Sequence, residues 1–314
     1  MDARFSGGLR PLARARSRCA LVVLATALSG VAQLHAAGFR STNFAVEAPT
    51  AQLAQEIAVS AEAWRKSLAL EWLGAEMPAW SKPCPIHASV SPTLLAGGET
   101  SFVFDRGEVF GWRMRLQGTR ERVLDSVLPH EITHTIFACH FRQPLPRWAD
   151  EGACTTVEHR SEIAKHERLL VECLMTRRGI PFDDMFAMKE YPADILPLYA
   201  QGYALSQYLI GQKGKREFLE FLADGMEDGN WPRAVKLHYN YPHLLALQTE
   251  WQGWVAAGKP PVRPAADTLA TNDASHTPPI IRGQSPEQSP VDASPSSIAP
   301  TAYEAALSQS TTRR

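Results

Sequence analysis

Five consecutive residues, His130-Glu131-Ile132-Thr133-His134, could both hold a metal ion and use it. Residues four apart on a helix lie one above the other on the same face, so His130 and His134 can aim their imidazoles at a single ion. Zinc takes such nitrogens at about 2.0–2.1 Å and needs a third protein ligand to form an open catalytic site. Glu131 leaves the helix about 100° round from His130, too far to ligate with the pair but within reach of a water molecule at the metal. The pattern predicts the chemistry of a zinc-dependent hydrolase.

The flanks say what must position these residues. Val123, Leu124, Val127 and Leu128 precede the run, and Ile132, Ile136, Phe137 and Ala138 continue through and beyond it, which predicts a largely buried helix. Buried imidazoles and a buried carboxylate are costly without a partner, and a metal supplies one. Pro129 predicts that the helix kinks there or restarts at that residue.

Two residues compete for the third ligand position. His140 follows His134 by six residues, the third-histidine spacing of a metzincin. That geometry needs a glycine midway where the chain leaves the helix, and Phe137 stands there instead; a bulky residue at φ > 0 is strongly disfavoured. In a continuing helix His140 lies about 9 Å further along the axis than His134 and about 120° away in azimuth, so it reads as a helix-end histidine near the last-turn carbonyls. Glu151, in Leu145-Pro146-Arg147-Trp148-Ala149-Asp150-Glu151-Gly152, is the better candidate. Pro144 and Pro146 end the first helix and let a second start near Arg147 and fold back. Asp150 is the rival, pointing about 100° away on the same helix.

The segments HEITH and PRWADEG together resemble the gluzincins, zinc peptidases with two histidines and a downstream glutamate. The cadence of WADEGACTTVE is similar to the Trp-x-x-Glu-Gly helix of aminopeptidase-N-type enzymes. The wider chain, over about residues 40–257, resembles the bacterial peptidase MA-like domain, whose helix pair ends in a segment like Tyr199-Ala200-Gln201-Gly202-Tyr203. The resemblance implies one Zn2+ held by His130, His134 and Glu151, with Glu131 as general base. It implies Tyr199 as the phenol that steadies the oxyanion, with Tyr203 as the competing choice. Two departures stand out. Thermolysin-like enzymes carry an aspartate four residues after the ligand glutamate to orient a histidine; Thr155 occupies that position here, leaving Glu158 or Asp125 to serve. The motif that grips a substrate's free amine in aminopeptidases is absent upstream.

Composition bounds the rest. With 314 residues and 45% hydrophobic content, the chain can bury one sizeable core of about 200 residues. A net charge of −1 carries no nucleic-acid footprint. Arg4, Arg10, Arg14, Arg16 and Arg18 precede an uncharged apolar run from Cys19 to Leu34, and Ala36, Ala37 and Gly38 follow. That reads as a signal peptide over 1–37 and an exported protein, periplasmic or secreted, with an uncleaved N-terminal anchor as the alternative. Export permits disulfides among Cys84, Cys139, Cys154 and Cys173; a Cys84–Cys139 pairing is favoured among these, with free buried thiols as the equal alternative.

A strand is predicted over 39–46, a helix over 50–72 and a strand over 86–90. A β-hairpin is expected around Arg106-Gly107, with Arg113 and Arg115 on an exposed edge that walls the substrate site. Helices follow near 121–139, 147–176, 198–211, 215–224 and 243–256. The fold class is α+β: a small mixed sheet with the active-site helix and a helical C-terminal lobe, zincin-like over 38–258. Beyond that, 259–314 is a Pro/Ser/Thr-rich tail without enough apolar surface to fold. The expected function is an exported zinc metallopeptidase acting on peptide or protein substrates. The alternative is an exported binding or scaffold module stabilised by zinc, without turnover.

Overall fold

In the computed structural model, which describes residues 37–262, β1 (Ala37–Arg40) and β2 (Phe44–Ala48) form an antiparallel pair. The single strand expected over 39–46 is thus two strands and a turn. Glu62 fixes that turn, accepting from the Asn43 backbone amide at 2.6 Å and from its side-chain nitrogen at 2.7 Å. Helix α1 (Ala51–Leu73) begins at Thr50, whose hydroxyl accepts from the Leu53 amide, and ends at Gly74 in the left-handed conformation. These are a strong N-cap and a glycine C-cap.

Strands β3 (Cys84–Val90), β4 (Gly97–Asp105) and β5 (Glu108–Gly118) complete a five-stranded mixed sheet of order β1-β2-β3-β5-β4. The pairs β2–β3 and β3–β5 are parallel, and β4–β5 is the antiparallel hairpin. The edge beside the site is therefore β4, not β5. Arg113 and Arg115 lie on the exposed face of β5, alternating with buried Trp112, Met114 and Leu116.

The next segment carries the histidines. A helical turn, α2 (Arg120–Arg122), passes through a π-helical turn at Val123–Val127 into α3 (Leu128–Phe141). The Leu128 amide reaches back five residues to the Val123 carbonyl, and Pro129 then stands in the first turn of α3, where its missing N–H costs little. The kink expected at Pro129 is resolved in this way, and such turns are common at functional sites. Trp64 of α1 donates to the Leu124 carbonyl at 3.0 Å, tying α1 to the turn.

The helical half follows: α4 (Arg147–Thr155), α5 (Arg160–Met175), α6 (Phe182–Ala187), α7 (Leu196–Asp228), α8 (Trp231–Tyr239) and α9 (Leu244–Ala256). The helix expected over 147–176 is two, separated at 156–159 where His159 caps α5 through the Ser161 amide. The two helices expected at 198–211 and 215–224 are both present within α7, separated by a kink at Gly214, where φ is 83° and ψ 172°. Helices α6 and α8 were not anticipated. The architecture is α+β, with a buried core running from Phe44 and Ile86 in the sheet to Trp148, Phe218 and Trp251 among the helices.

Cys84, Cys139, Cys154 and Cys173 are all free thiols, so the Cys84–Cys139 disulfide is not formed. Burial pushes the Cys84 thiol up to about 12, the behaviour of a packed apolar group. The expected tail boundary at 259 falls early. Lys259 pairs with Glu167, Trp254 donates to the Pro260 carbonyl at 2.8 Å, and Val262 packs beside Gly211. The expected signal segment up to residue 36 and the tail beyond residue 262 lie outside the described residues. Among those residues, no helix is long and apolar enough to cross a membrane.

Candidate metal centre

Helix α3 projects His130 and His134 into a cleft of about 620 Å³ between the sheet and the helical half. Their rings stand 5.0 Å apart. The Oε2 atom of Glu151, from α4, lies 3.5 Å from His130 Nε2 and 3.8 Å from His134 Nε2. The three side chains thus converge, although they come from separate helices.

The remaining ring nitrogens are taken. His130 Nδ1 is 2.6 Å from Glu158 Oε1, and His134 Nδ1 is 2.8 Å from Asp150 Oδ1. A carboxylate on Nδ1 fixes ring orientation and turns Nε2 toward the centre, the arrangement that supports metal-ligating histidines. Glu158 was one of two residues considered for this role from the sequence. The other, Asp125, pairs with Arg122 at 3.0 Å. Asp150 had been weighed only as a rival ligand, and its real neighbour is the imidazole beside it.

Glu131 is buried and accepts from the Thr100 hydroxyl of β4 at 2.6 Å. Burial raises its pKa, with the nearby histidines working against the shift, and a raised carboxylate suits a group that must take and return a proton. Gly98, on the same strand, makes room for it. A β-carbon there would stand 2.3 Å from Glu131 Oε1.

Glu151 has a second support that sequence reasoning missed. The Tyr191 hydroxyl, from the segment before α7, donates to its other oxygen, Oε1. Tyr191 precedes Pro192, and no local pattern marks it as part of the site. Tyr199, in the first turn of α7, lines the cleft, and its phenol is pushed up by burial and by the Glu151 charge. Tyr203 does not reach the cleft; it is 3% exposed, with its ring 6.2 Å from His166. His140 is exposed at the end of α3, its ring against Phe141 at 4.7 Å.

A close helix crossing places Glu151 beside Tyr199. A β-carbon on Gly152 would stand 2.3 Å from the Gly202 backbone, and one on Gly202 would stand 2.5 Å from the Trp148 carbonyl. Two glycines therefore let α4 and α7 touch backbone to backbone.

The cluster's charges favour a cation. Glu131, Asp150, Glu151 and Glu158 stand around two histidines, so carboxylates outnumber imidazoles two to one in this cluster. Isolated buried charge is costly, and a divalent ion balances it. A second donor set overlaps the first: His130, His134 and Cys154 offer atoms within 4.8 Å of one another. Cys154 approaches His134 at Nδ1, at 3.4 Å, the nitrogen already engaged by Asp150. Its thiol is held well above its usual range by burial and by the surrounding carboxylates, which opposes the thiolate a metal requires. Glu151 is the better third donor on both counts.

Neither a known protein-family model nor a curated protein matches the chain.

Proposed function

We propose that this chain is an exported zinc metallopeptidase of the gluzincin type, with a zincin-like fold of the peptidase MA-like kind. The observation that carries the reading is the shared approach of both imidazole Nε2 atoms to one Glu151 oxygen, with both Nδ1 atoms anchored by carboxylates. His130, His134 and Glu151 hold one Zn2+ in this reading. Zinc, when bound, supplies Lewis acidity and lowers the pKa of water toward about 7.

The chain's own groups do the rest. Glu131, seated by Thr100, accepts a proton from the attacking water and returns it to the leaving amine. Tyr199 donates to the oxyanion that develops on the scissile carbonyl; removing one such donor typically costs about 10²–10³ in rate. Asp150 and Glu158 hold the imidazoles in the tautomer that presents Nε2.

Glu131→Gln is expected to retain zinc by elemental analysis and to lose hydrolysis of casein or a peptide library. Undiminished digestion by that variant refutes the assigned base. Zinc retained with no turnover by the wild-type protein supports the binding-module alternative instead.

A further inference from the structure

Six carboxylates line the cleft, and each is engaged. Glu99 faces Arg115 at 3.4 Å, Glu131 accepts from Thr100, and Glu162 pairs with Lys165 at 3.0 Å. Asp150, Glu151 and Glu158 all face the histidines. Among the described residues, Arg147 is the one lysine or arginine lining this cleft, and no carboxylate pairs with it. Its guanidinium lies over the Tyr191 ring, 4.5 Å from the centroid.

That contact is made with the π face of the Tyr191 ring, and among the described residues the guanidinium N–H donors make no hydrogen bond or ion pair. The position is close to the chemistry. Arg147 and Glu151 are four apart on α4 and share a face, while Tyr191, on which Arg147 stacks, donates to Glu151. A half-buried guanidinium held against an aromatic ring with its donors free is a receptor for a carboxylate, which it can grip through two parallel hydrogen bonds.

We propose that Arg147 is a specificity-determining residue that takes a carboxylate of the substrate beside the scissile bond. The carboxylate is either the C-terminal one or that of an aspartate or glutamate side chain. This inference rests on the peptidase reading of the same cleft. It fits a cleft whose own carboxylates are already paired, so that an incoming anion finds one unpaired cation waiting.

Matched peptides on the zinc-loaded full chain test it: one with a free C-terminus, one with a C-terminal amide, and versions with each acidic residue changed to its amide. One of these changes is expected to lower kcat/KM by about tenfold or more, the usual worth of a charge-assisted hydrogen bond. Loss on C-terminal amidation identifies the α-carboxylate, and loss on a Glu-to-Gln change identifies a side chain. Equal rates across the set overturn the proposal. Arg147→Gln should abolish the preference mainly through KM with zinc content unchanged, and Arg147→Lys should restore part of it. A preference that survives Arg147→Gln places the anchor elsewhere and also overturns the proposal.

Binding separates this inference from the reading beneath it. The same peptides are titrated onto Glu131→Gln by fluorescence anisotropy. Carboxylate-dependent binding with no turnover by the wild-type protein sinks the peptidase reading and keeps the anchor. Turnover without carboxylate preference does the reverse, and no binding with no turnover removes both.

Discussion

Each imidazole of the His130–His134 pair has two nitrogens, and the structure gives them different surroundings. The Nε2 atoms face Glu151, and the Nδ1 atoms are held by Glu158 and Asp150. Outer partners of this kind typically change metal affinity by about 10–100-fold. Glu158→Gln, Asp150→Asn and Tyr191→Phe are each expected to weaken zinc binding within that range, measured by competition with a chromogenic chelator. Tyr191→Phe is the sharpest of the three, because it removes a donor to Glu151 and leaves both histidines untouched. Unchanged affinity in that variant means Glu151 needs no such support.

The metal-free protein has its own pH signature. Burial pulls His134 down, but the Asp150 charge and hydrogen bond prevail and hold it up to about 9, from 6.5. Its contribution to stability is complete below pH 6.5 and is lost as pH rises toward 9. Glu151 behaves oppositely: burial raises it, but His130 and the imidazolium charges lower it from 4.5 to about 2. Its contribution is present above pH 4.5 and is lost as pH falls toward 2. Chelated protein is therefore expected to melt highest between pH 4.5 and 6.5. A thermal-melt series across pH that shows no such maximum contradicts this pairing. At this scale helical spacing and chain-breaking prolines made the meeting of His130, His134 and Glu151 legible, and the structure brings those side chains together. The sequence did not disclose Tyr191 or the true partner of Asp150. Tyr191 and Glu151 are forty residues apart, and no local pattern records such a meeting.

Elements fix how closely these groups can approach. Gly98 of β4 clears space for Glu131, so Gly98→Ala is expected to shift that carboxylate and reduce turnover by about 10-fold or more while leaving the fold intact, because the obstructed atom is the end of a side chain. Equal kcat in the variant, with an unaltered melting temperature, means Glu131 does not need its present seat. Gly202→Ala differs in kind. Its β-carbon meets the Trp148 backbone carbonyl at 2.5 Å, and overpacking of this sort typically costs about 1–3 kcal/mol. Loss of stability in a denaturant melt, together with weaker zinc binding, is the expected result. Helix α1 and the β4–β5 hairpin were legible from apolar periodicity and the Arg106-Gly107 turn. The break between α4 and α5 was not, since the local pattern continues through 156–159 and tertiary contacts end the first helix. Nor was the π-helical turn, which solves the Pro129 problem through one longer backbone bond rather than any residue preference.

At the scale of the whole molecule, the α+β class followed from the order of strand-like and helix-like segments. The C-terminal limit did not, because Lys259, Pro260 and Val262 look like the start of a polar tail and yet close against the helical half. A chain ending at Gly258 is expected to melt below one ending at Val262, by a few degrees for each kcal/mol lost in a domain of this size. Equal melting temperatures show those contacts to be idle.

The cleft draws on five stretches of chain: β4 and the residue before it at 96–102, α3 and the turn before it at 126–134, α4 and its exit at 147–158, α5 at 162–166, and the segment from 191 to 199. A polypeptide emerging from the ribosome displays its histidine pair well before Tyr191 exists to support Glu151. The cluster can take its final geometry only once the segment from 191 to 199 has been made, so the site matures late in the life of each new molecule.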